Sequence, residues 1–283
     1  MNPIPSTIAA QLCSVVGMSF PRTIDKLDKL IGDGLAPTPV IISVVASDPL
    51  LTAAVLGQAG IGGNEVTELS QAVLHLGLSM VQGLVRDFHP LPAARMALVC
   101  GYWSEANACA AMTRVVTAYR PEIFSISTEE ETAHIAGLLH DLGPLIASIH
   151  FVPAFDRAAS RHAAGEGPFA RVLKDELGTD PGLLAAHLCT LWQLPDLVAT
   201  VAQYHARPVR APRFRELCCA VHVARMLVRG CGHCPDADCF VEPVDEDAMD
   251  LLNLGLTDVP RILDRFFDEM EDLESFEPTL IKA

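Results

Sequence analysis

A histidine and an aspartate stand side by side in an apolar stretch at residues 133–143. The stretch reads Ala-His-Ile-Ala-Gly-Leu-Leu-His-Asp-Leu-Gly, so His140 and Asp141 interrupt a helical run that Gly143 is expected to close. Burying an imidazole beside a carboxylate costs free energy unless each group has a partner. A metal ion, an ion pair or the backbone amides at a helix end would each supply one, and all three remain open.

Four further side chains with metal-binding chemistry lie within residues 231–239. Cys231, His233, Cys234 and Cys239 are the soft ligands that zinc prefers. Their spacing is not that of two Cys-x-x-Cys pairs, so redox-active thiols or a loop with ordinary free thiols are the alternatives to a zinc site. The nine cysteines of the chain are expected to be reduced, because the sequence carries no export signal.

The composition is that of a folded, acidic chain. Half of the 283 residues are hydrophobic, 19% are charged and the net charge is −15. Such a chain can bury a large core, and its acidity argues against a general nucleic-acid binder, which needs a basic surface. No apolar run approaches the ~18 residues of a membrane helix, and the start does not look like a signal peptide. We therefore expect a cytoplasmic protein with no membrane partner.

The charge is unevenly distributed along the chain. Residues 242–277 hold thirteen acids against two arginines, whereas residues 205–229 lean towards positive charge. The arginines of this basic segment are Arg207, Arg210, Arg213, Arg215, Arg225 and Arg229. Solvated helix faces are the ordinary interpretation of both clusters, and both are also candidate surfaces for a partner.

The hydrophobic period is helical throughout, which predicts an all-α protein. Residues 38–47 are rich in β-branched side chains, but we assign them to a helix. Asp48 followed by Pro49 predicts the start of the next helix, and Ser127 and Thr128 each begin a possible capping box. Further helices are predicted over residues 93–119, 153–164, 168–177, 182–193, 195–206, 212–229, 246–253 and 258–274. The His-Pro-Leu-Pro break at residues 89–92 suggests three segments, 1–92, 93–230 and 231–283.

The stretch Gly-Leu-Leu-His-Asp-Leu-Gly at residues 137–143 resembles the signature of the HD superfamily, metal-dependent phosphohydrolases named for their His-Asp pair. Other stretches are similar to motifs of one branch, the HDOD domain (HD-related output domain), in the family's order. They are Phe20-Pro21, Asp48-Pro49-Leu50-Leu51-Thr52, Ala72-Val73-Leu74-His75-Leu76-Gly77, Leu191-Trp192-Gln193-Leu194-Pro195 and Tyr204-His205-Ala206-Arg207-Pro208. The resemblance implies a multi-helix bundle. Residues 1–92 would form an N-terminal helical half, 93–230 an HD-like bundle, and 231–283 a Cys-containing loop with acidic helices packed on the same unit.

The resemblance also implies a set of metal ligands, and several of its positions hold other residues here. Catalytic HD proteins use an early His, the His-Asp pair, further His residues and a late Asp. The early position falls near Ser104, and the others are taken by Pro181, Ala206 and Arg225.

His140, Asp141 and His205 remain of that set, and His187 and His222 are imidazoles that could compensate. Three ligands rarely make a binuclear hydrolytic site. The fixed charge of Arg225 would also repel a divalent ion.

This pattern suggests a degenerate HD site formed by His140, Asp141, His205 and Arg225. Arg225 would stand where the charge of the metal would be and would pair with Asp141, because a guanidinium can bind a carboxylate through two hydrogen bonds.

Two functions follow from the resemblance. The first is a non-catalytic regulatory or output domain of bacterial signal transduction, associated with response regulators. It would need no cofactor and would bind a signalling partner protein or a small ligand such as a nucleotide. The alternative is a metal-dependent phosphohydrolase that cleaves a nucleotide or cyclic dinucleotide through His140, Asp141, His205 and a divalent metal.

Overall fold

The structure, a computed structural model, describes residues 4–63, 65–124 and 130–276. Its regular structure is almost entirely helical, which confirms the predicted all-α class. The first six helices are α1 (Ser6–Leu12), α2 (Pro21–Gly32), α3 (Thr38–Ala46), α4 (Pro49–Gly60), α5 (Leu69–Leu76) and α6 (Leu78–Asp87). The next seven are α7 (Ala93–Tyr119), α8 (Glu130–Leu138), α9 (Leu142–His150), α10 (Val152–Ala163), α11 (Phe169–Leu177), α12 (Pro181–Leu191) and α13 (Asp196–Tyr204). The last three are α14 (Arg215–Gly230), α15 (Glu246–Leu251) and α16 (Val259–Phe276).

Local signals of the sequence place several of these helices correctly. The β-branched residues of α3 are helical because one side of the helix is buried, including Ile41, Val44 and Val45. Asp48 caps α4 as predicted, since its side chain accepts hydrogen bonds from the backbone amides of Leu50 and Leu51. The capping boxes predicted at Ser127 and Thr128 lie outside the described residues.

A two-residue parallel strand pair is the only β-structure among the described residues. Met18–Ser19 (β1) pairs with His89–Pro90 (β2), and helices α2–α6 lie between the two strands in the sequence. The break predicted at residues 89–92 is thus a short ladder, which ties the end of this region back to its beginning. Pro90 is tolerated there because the amides that donate to the β1 segment are those of His89 and Leu91, which bond the carbonyl oxygens of Gly17 and Ser19.

The prediction that Gly143 closes a helix is wrong. α8 ends at Leu138, and a second helix, α9, begins at Leu142 and includes Gly143 in its first turn. A Cβ atom at Gly143 would lie 2.1 Å from the carbonyl oxygen of Pro181, at the start of α12. Glycine is required here because two helices approach closely, and such tertiary contacts leave no local signal.

The long helix α7 lies at the centre of the fold, packed against α8, α9, α14 and α16. One hydrophobic cluster joins α2–α6 to one side of α7 and to α9–α12. A second joins the other side of α7 to α14, α15 and α16. The first cluster extends across residue 92, and the division into segments 1–92, 93–230 and 231–283 stays a prediction.

Within the described residues no single helix has the length and hydropathy needed to cross a bilayer. Two successive helix pairs reach that threshold only when combined, and they are bent by 116° and 108°.

Candidate functional site

His140 and Asp141 occupy the connection between α8 and α9, in the middle of the fold. His140 is 1% exposed, and the Asp141 side chain is 10% exposed. The Nδ1 atom of His140 lies 2.6 Å from the carbonyl oxygen of Gly137. Because a carbonyl can only accept, Nδ1 carries the proton and Nε2 presents its lone pair. Among the described residues that Nε2 atom has no hydrogen-bond partner.

Asp141 stands at the N-terminal end of α9, yet its side chain does not cap the helix. Its oxygens face charged and titratable side chains instead. Oδ1 lies 3.2 Å from Nε2 of His205, and Oδ2 lies 3.5 Å from Nε of Arg225. The geometry thereby excludes one of the three partners that the sequence left open, the backbone amides of a helix end.

Two arginines one helical turn apart on α14 enter the same cluster. Arg225 is 8% exposed and Arg229 is 4% exposed. Arg229 hydrogen-bonds both oxygens of Glu105 on α7, and its Nη2 atom also donates to Asp238 at 2.9 Å. Arg225 lies 3.6 Å from Glu105 and 3.5 Å from Asp238. Three carboxylates therefore surround two guanidinium groups in the interior.

The electrostatics of the cluster separate the neutral from the charged groups. Burial lowers the pKa of His140 to about 3, so its imidazole is neutral. Burial alone would raise the pKa of Asp141, but the charge of Arg225, aided by His140 and His205, holds it well below its usual range. Burial works against the charge of Arg225, yet Asp141 and Glu105 raise its pKa. Asp141 and Arg225 are thus held as an ion pair.

The histidines nearest to the pair are positioned by backbone groups. Nδ1 of His205 lies 3.2 Å from the carbonyl oxygen of Val201, which orients the ring towards Asp141. His222 bridges two segments, with Nδ1 3.0 Å from the carbonyl oxygen of His205 and Nε2 accepting from the amide of Asp245. Both ring nitrogens of His222 are therefore engaged, and it offers no free lone pair to a metal.

The cluster contains donors that could bind a metal ion and a cation that would repel it. Ligand atoms of Glu105, His140 and Asp141 all lie within 4.8 Å of one another, and His140 Nε2 and Asp141 Oδ2 lack hydrogen-bond partners. These donors suit a divalent ion. The guanidinium of Arg225, however, already faces the same Asp141 oxygen. At an effective dielectric constant of about 20, a unit charge about 4 Å from a divalent ion repels it by roughly 8 kcal/mol.

The four residues of the predicted zinc site do not converge as a ligand set. Cys234 and Cys239 form a disulfide, so their sulfurs are not thiolates, and the expectation that all nine cysteines are reduced needs correction for this pair. His233 lies 3.5 Å from the hydroxyl of Ser104, while Cys231 keeps a free thiol. Cys234 and Cys239 are close in the sequence and close in the structure, but their sulfurs are bonded to each other and do not form a ligand pair. A zinc site would require their reduction, and it stays a prediction.

The structure brings His140, Asp141, His205 and Arg225 together and adds three residues that the sequence analysis missed. These are Glu105, Arg229 and Asp238. Arg229 had a usable signal, because it follows Arg225 by four residues and so shares its helix face. Glu105 is 1% exposed in an apolar part of α7, where a lone acid already requires a buried partner.

Comparison with known proteins identifies a family for most of the chain. The HDOD domain model matches residues 18–208, and no curated protein matches.

Several solved structures share the fold. The MmoQ response regulator from Methylococcus capsulatus strain Bath is 19% identical with a TM-score of 0.61, covering 86% of this chain and 95% of its own. An HDOD domain protein of unknown function from Geobacter sulfurreducens is 17% identical with a TM-score of 0.52, covering 97% and 98%. A protein from Shewanella amazonensis whose name suggests a phosphohydrolase is 18% identical with a TM-score of 0.51, covering 93% and 94%. At these identities the likeness concerns the fold alone.

Proposed function

The chain belongs to the HDOD domain family, and we propose that it serves as a non-catalytic regulatory domain in bacterial signal transduction, binding a partner protein or a small ligand. The observation that supports this most is the pair formed by Arg225 and Asp141. It puts a fixed positive charge on the carboxylate that a hydrolytic metal would need.

The protein supplies its own cations at this position. Arg225 and Arg229 together balance most of the charge of Glu105, Asp141 and Asp238. A metal entering between these carboxylates would have to displace a guanidinium that is nine-tenths buried. Breaking a buried ion pair in this way typically costs about 3–5 kcal/mol. No hydrolytic step is therefore assigned to His140, Asp141 or His205.

The test is a phosphodiesterase assay on the purified chain with Mn²⁺ or Fe²⁺ added, using bis-p-nitrophenyl phosphate and cyclic dinucleotides. We expect no turnover above the rate of an Asp141→Ala variant. An Arg225→Asp variant, which removes the cation and adds a carboxylate, should bind Mn²⁺ more tightly than the natural chain. Turnover that is lost in both His140→Ala and Asp141→Ala variants would overturn the proposal.

The second candidate is the metal-dependent phosphohydrolase. It is favoured by the unpartnered Nε2 of His140 and by the proximity of Glu105, which stands within metal-ligand reach. In that case His140, Asp141 and Glu105 would hold the ion, which would supply an activated water. The assay above separates the two functions directly.

A further inference from the structure

A cavity of about 850 Å³ opens directly above the charged cluster. Asp141, His205, Arg225 and Arg229 form part of its wall. The remainder comes from the beginnings of α11 and α12, the segment after α13, and the loop after the disulfide. A volume of this size is typical of sites for small molecules.

Positive charge dominates this cavity although the chain as a whole carries −15. Its lining contains six arginines and lysines and four carboxylates. Among them Arg171, Arg207 and Arg210 are exposed side chains at the mouth. No ion pair within 4 Å is found for these three among the described residues.

The carboxylates of the lining are largely occupied. Asp141 and Asp238 face the two buried arginines. Asp180 accepts from the amide of Gly182 and lies 3.6 Å from Lys174. Glu242 is the lining acid without an ion pair among the described residues. An anion entering the cavity would therefore meet several cations whose charge is not already neutralised.

Two helices direct their N-terminal ends at the same space. Phe169 and Ala170 open α11, and Pro181 and Gly182 open α12, and all four line the cavity. A helix N-terminus carries a partial positive charge, which favours phosphate and other anions. The start of α11 has no side-chain cap, whereas the start of α12 is capped by Asp180, and Pro181 has no N–H to offer. The uncapped end is that of α11, and it lies beside the exposed arginines.

The deep wall adds a donor that the protein does not satisfy. Arg225 is nine-tenths buried and lines the cavity, and within the described part of the chain its Nε atom makes no hydrogen bond. The nearest carboxylate oxygens lie at 3.5 and 3.6 Å, beyond a good hydrogen bond. The charge of Arg225 is paired while part of its hydrogen-bonding capacity is unused.

We propose that this cavity binds a phosphate-bearing small molecule, held at the mouth by Arg171, Arg207 and Arg210 and by the N-terminal end of α11. The proposal rests on the regulatory function proposed above and names the class of its ligand. Arginine suits phosphate because its planar guanidinium can donate two hydrogen bonds at once. A concave cavity of this size favours a small molecule over an acidic protein surface.

The test is isothermal titration calorimetry, in which inorganic pyrophosphate is titrated into the full chain in a buffer that contains EDTA and moderate salt. We expect saturable binding at one site per chain. An Arg171→Gln, Arg207→Gln double variant should weaken it at least 10-fold. The control is Arg213→Gln, which removes one positive charge from an exposed arginine that pairs with Asp196 outside the cavity, and it should leave the affinity within 2-fold. Thermal melting of each variant checks that all remain folded.

Three results would overturn the proposal. They are failure of the natural chain to bind pyrophosphate at millimolar concentration, equal weakening by the cavity variant and the Arg213→Gln control, and tight binding of a hexaglutamate peptide where pyrophosphate does not bind. The last result would assign the cavity to an acidic partner protein instead.

A parallel incubation of the chain with pyrophosphate and Mn²⁺, without EDTA, keeps this proposal distinguishable from the function on which it rests. If nothing binds and no phosphate is released after Mn²⁺ addition, the ligand class is wrong while a regulatory role through a partner protein survives. If pyrophosphate binds and Mn²⁺ addition releases phosphate in a manner that depends on Asp141, the ligand class stands and the regulatory function is wrong.

Discussion

Two buried aspartates begin helices in this protein, and they are stabilised in opposite ways. Asp48, at the start of α4, accepts hydrogen bonds from the amides of Leu50 and Leu51 and from the hydroxyl of Ser19. Asp141, at the start of α9, makes no such cap and faces Arg225. Burial raises the pKa of Asp48 to about 6, whereas the charge of Arg225 overcomes burial and holds the pKa of Asp141 well below its usual range.

The difference separates a structural carboxylate from one available for function. All the partners of Asp48 are neutral groups that the local chain or the adjacent strand provides, so its role ends with the fold. Asp141 leaves the backbone unbonded and instead joins a network of charges beside a cavity. Perturbed groups in a cleft are candidates for function, and of the two aspartates only Asp141 lines this one.

The largest effect should come from removing a guanidinium of the Asp141 region. An Arg229→Leu variant leaves Glu105 and Asp238 buried without their hydrogen-bond donor. We expect the free energy of unfolding to fall by about 3–5 kcal/mol. Urea denaturation monitored by circular dichroism measures it.

Two controls calibrate this loss. Ser19→Ala removes one neutral donor from the Asp48 region and should cost about 1–2 kcal/mol. Arg86→Leu breaks the exposed pair with Asp28 and should cost less than Ser19→Ala, because solvent screens an exposed ion pair. If Arg229→Leu lowers the free energy of unfolding no more than Ser19→Ala does, the charged groups around Asp141 do not stabilise the fold more strongly than the neutral groups around Asp48.

An intermediate effect should follow from replacing each aspartate by asparagine at pH 7. Asparagine caps helices as well as aspartate does, so Asp48→Asn should change the free energy of unfolding by less than about 1 kcal/mol. Asp141→Asn removes the charge that faces Arg225 and His205 and should cost about 2–3 kcal/mol. Chemical denaturation of the two variants in parallel tests this contrast, and equal losses would contradict it.

The smallest effect is the pH dependence between pH 7 and pH 5. His140 stays neutral in the folded protein until its pKa of about 3, whereas an unfolded histidine gains a proton below about 6.5. Unfolding therefore takes up a proton between those values, and stability falls as the pH is lowered through this window. One proton gives a slope of about 1.4 kcal/mol per pH unit.

The pH dependence is best measured as a difference between variants, because Asp48 works in the opposite direction. Its raised pKa means that the folded state gains a proton first, which adds stability as the pH falls from about 6 to 3.8. Urea denaturation at pH 7, 6 and 5 should give a shallower slope for His140→Gln than for the natural chain. His75→Gln, at an exposed position, should leave the slope unchanged. An unchanged slope in His140→Gln would show that this imidazole takes up its proton before the protein unfolds.

The same two regions mark what could be predicted from the sequence. The cap formed by Asp48 was predictable because its partners lie two and three residues ahead. The partners of Asp141 come from α13 and α14, so their convergence depends on how the helices pack. The resemblance to a family pointed to His205 and Arg225, but not to Glu105, whose contact with Arg229 spans 124 residues of sequence.

Gly143 and Cys234 are two further residues whose partners could not be predicted from the sequence. The sequence pattern predicts that the glycine ends a helix, whereas its role is to admit the carbonyl of Pro181. The pattern also predicts the cysteine as a possible metal ligand with its neighbours, whereas it is bonded to Cys239. In both cases the residue type indicated that the position is special, but its partner, Pro181 or Cys239, is determined by the tertiary structure.

The central claim is that Arg225, and not a metal, holds the charge of Asp141. A crystal structure of the protein grown with MnCl2, with data collected at a wavelength that gives a manganese anomalous signal, tests it most directly. The account predicts that the guanidinium of Arg225 stays about 3.5 Å from Asp141 and that no anomalous peak lies beside His140. A manganese peak between Glu105, His140 and Asp141, with Arg225 turned away, would contradict it.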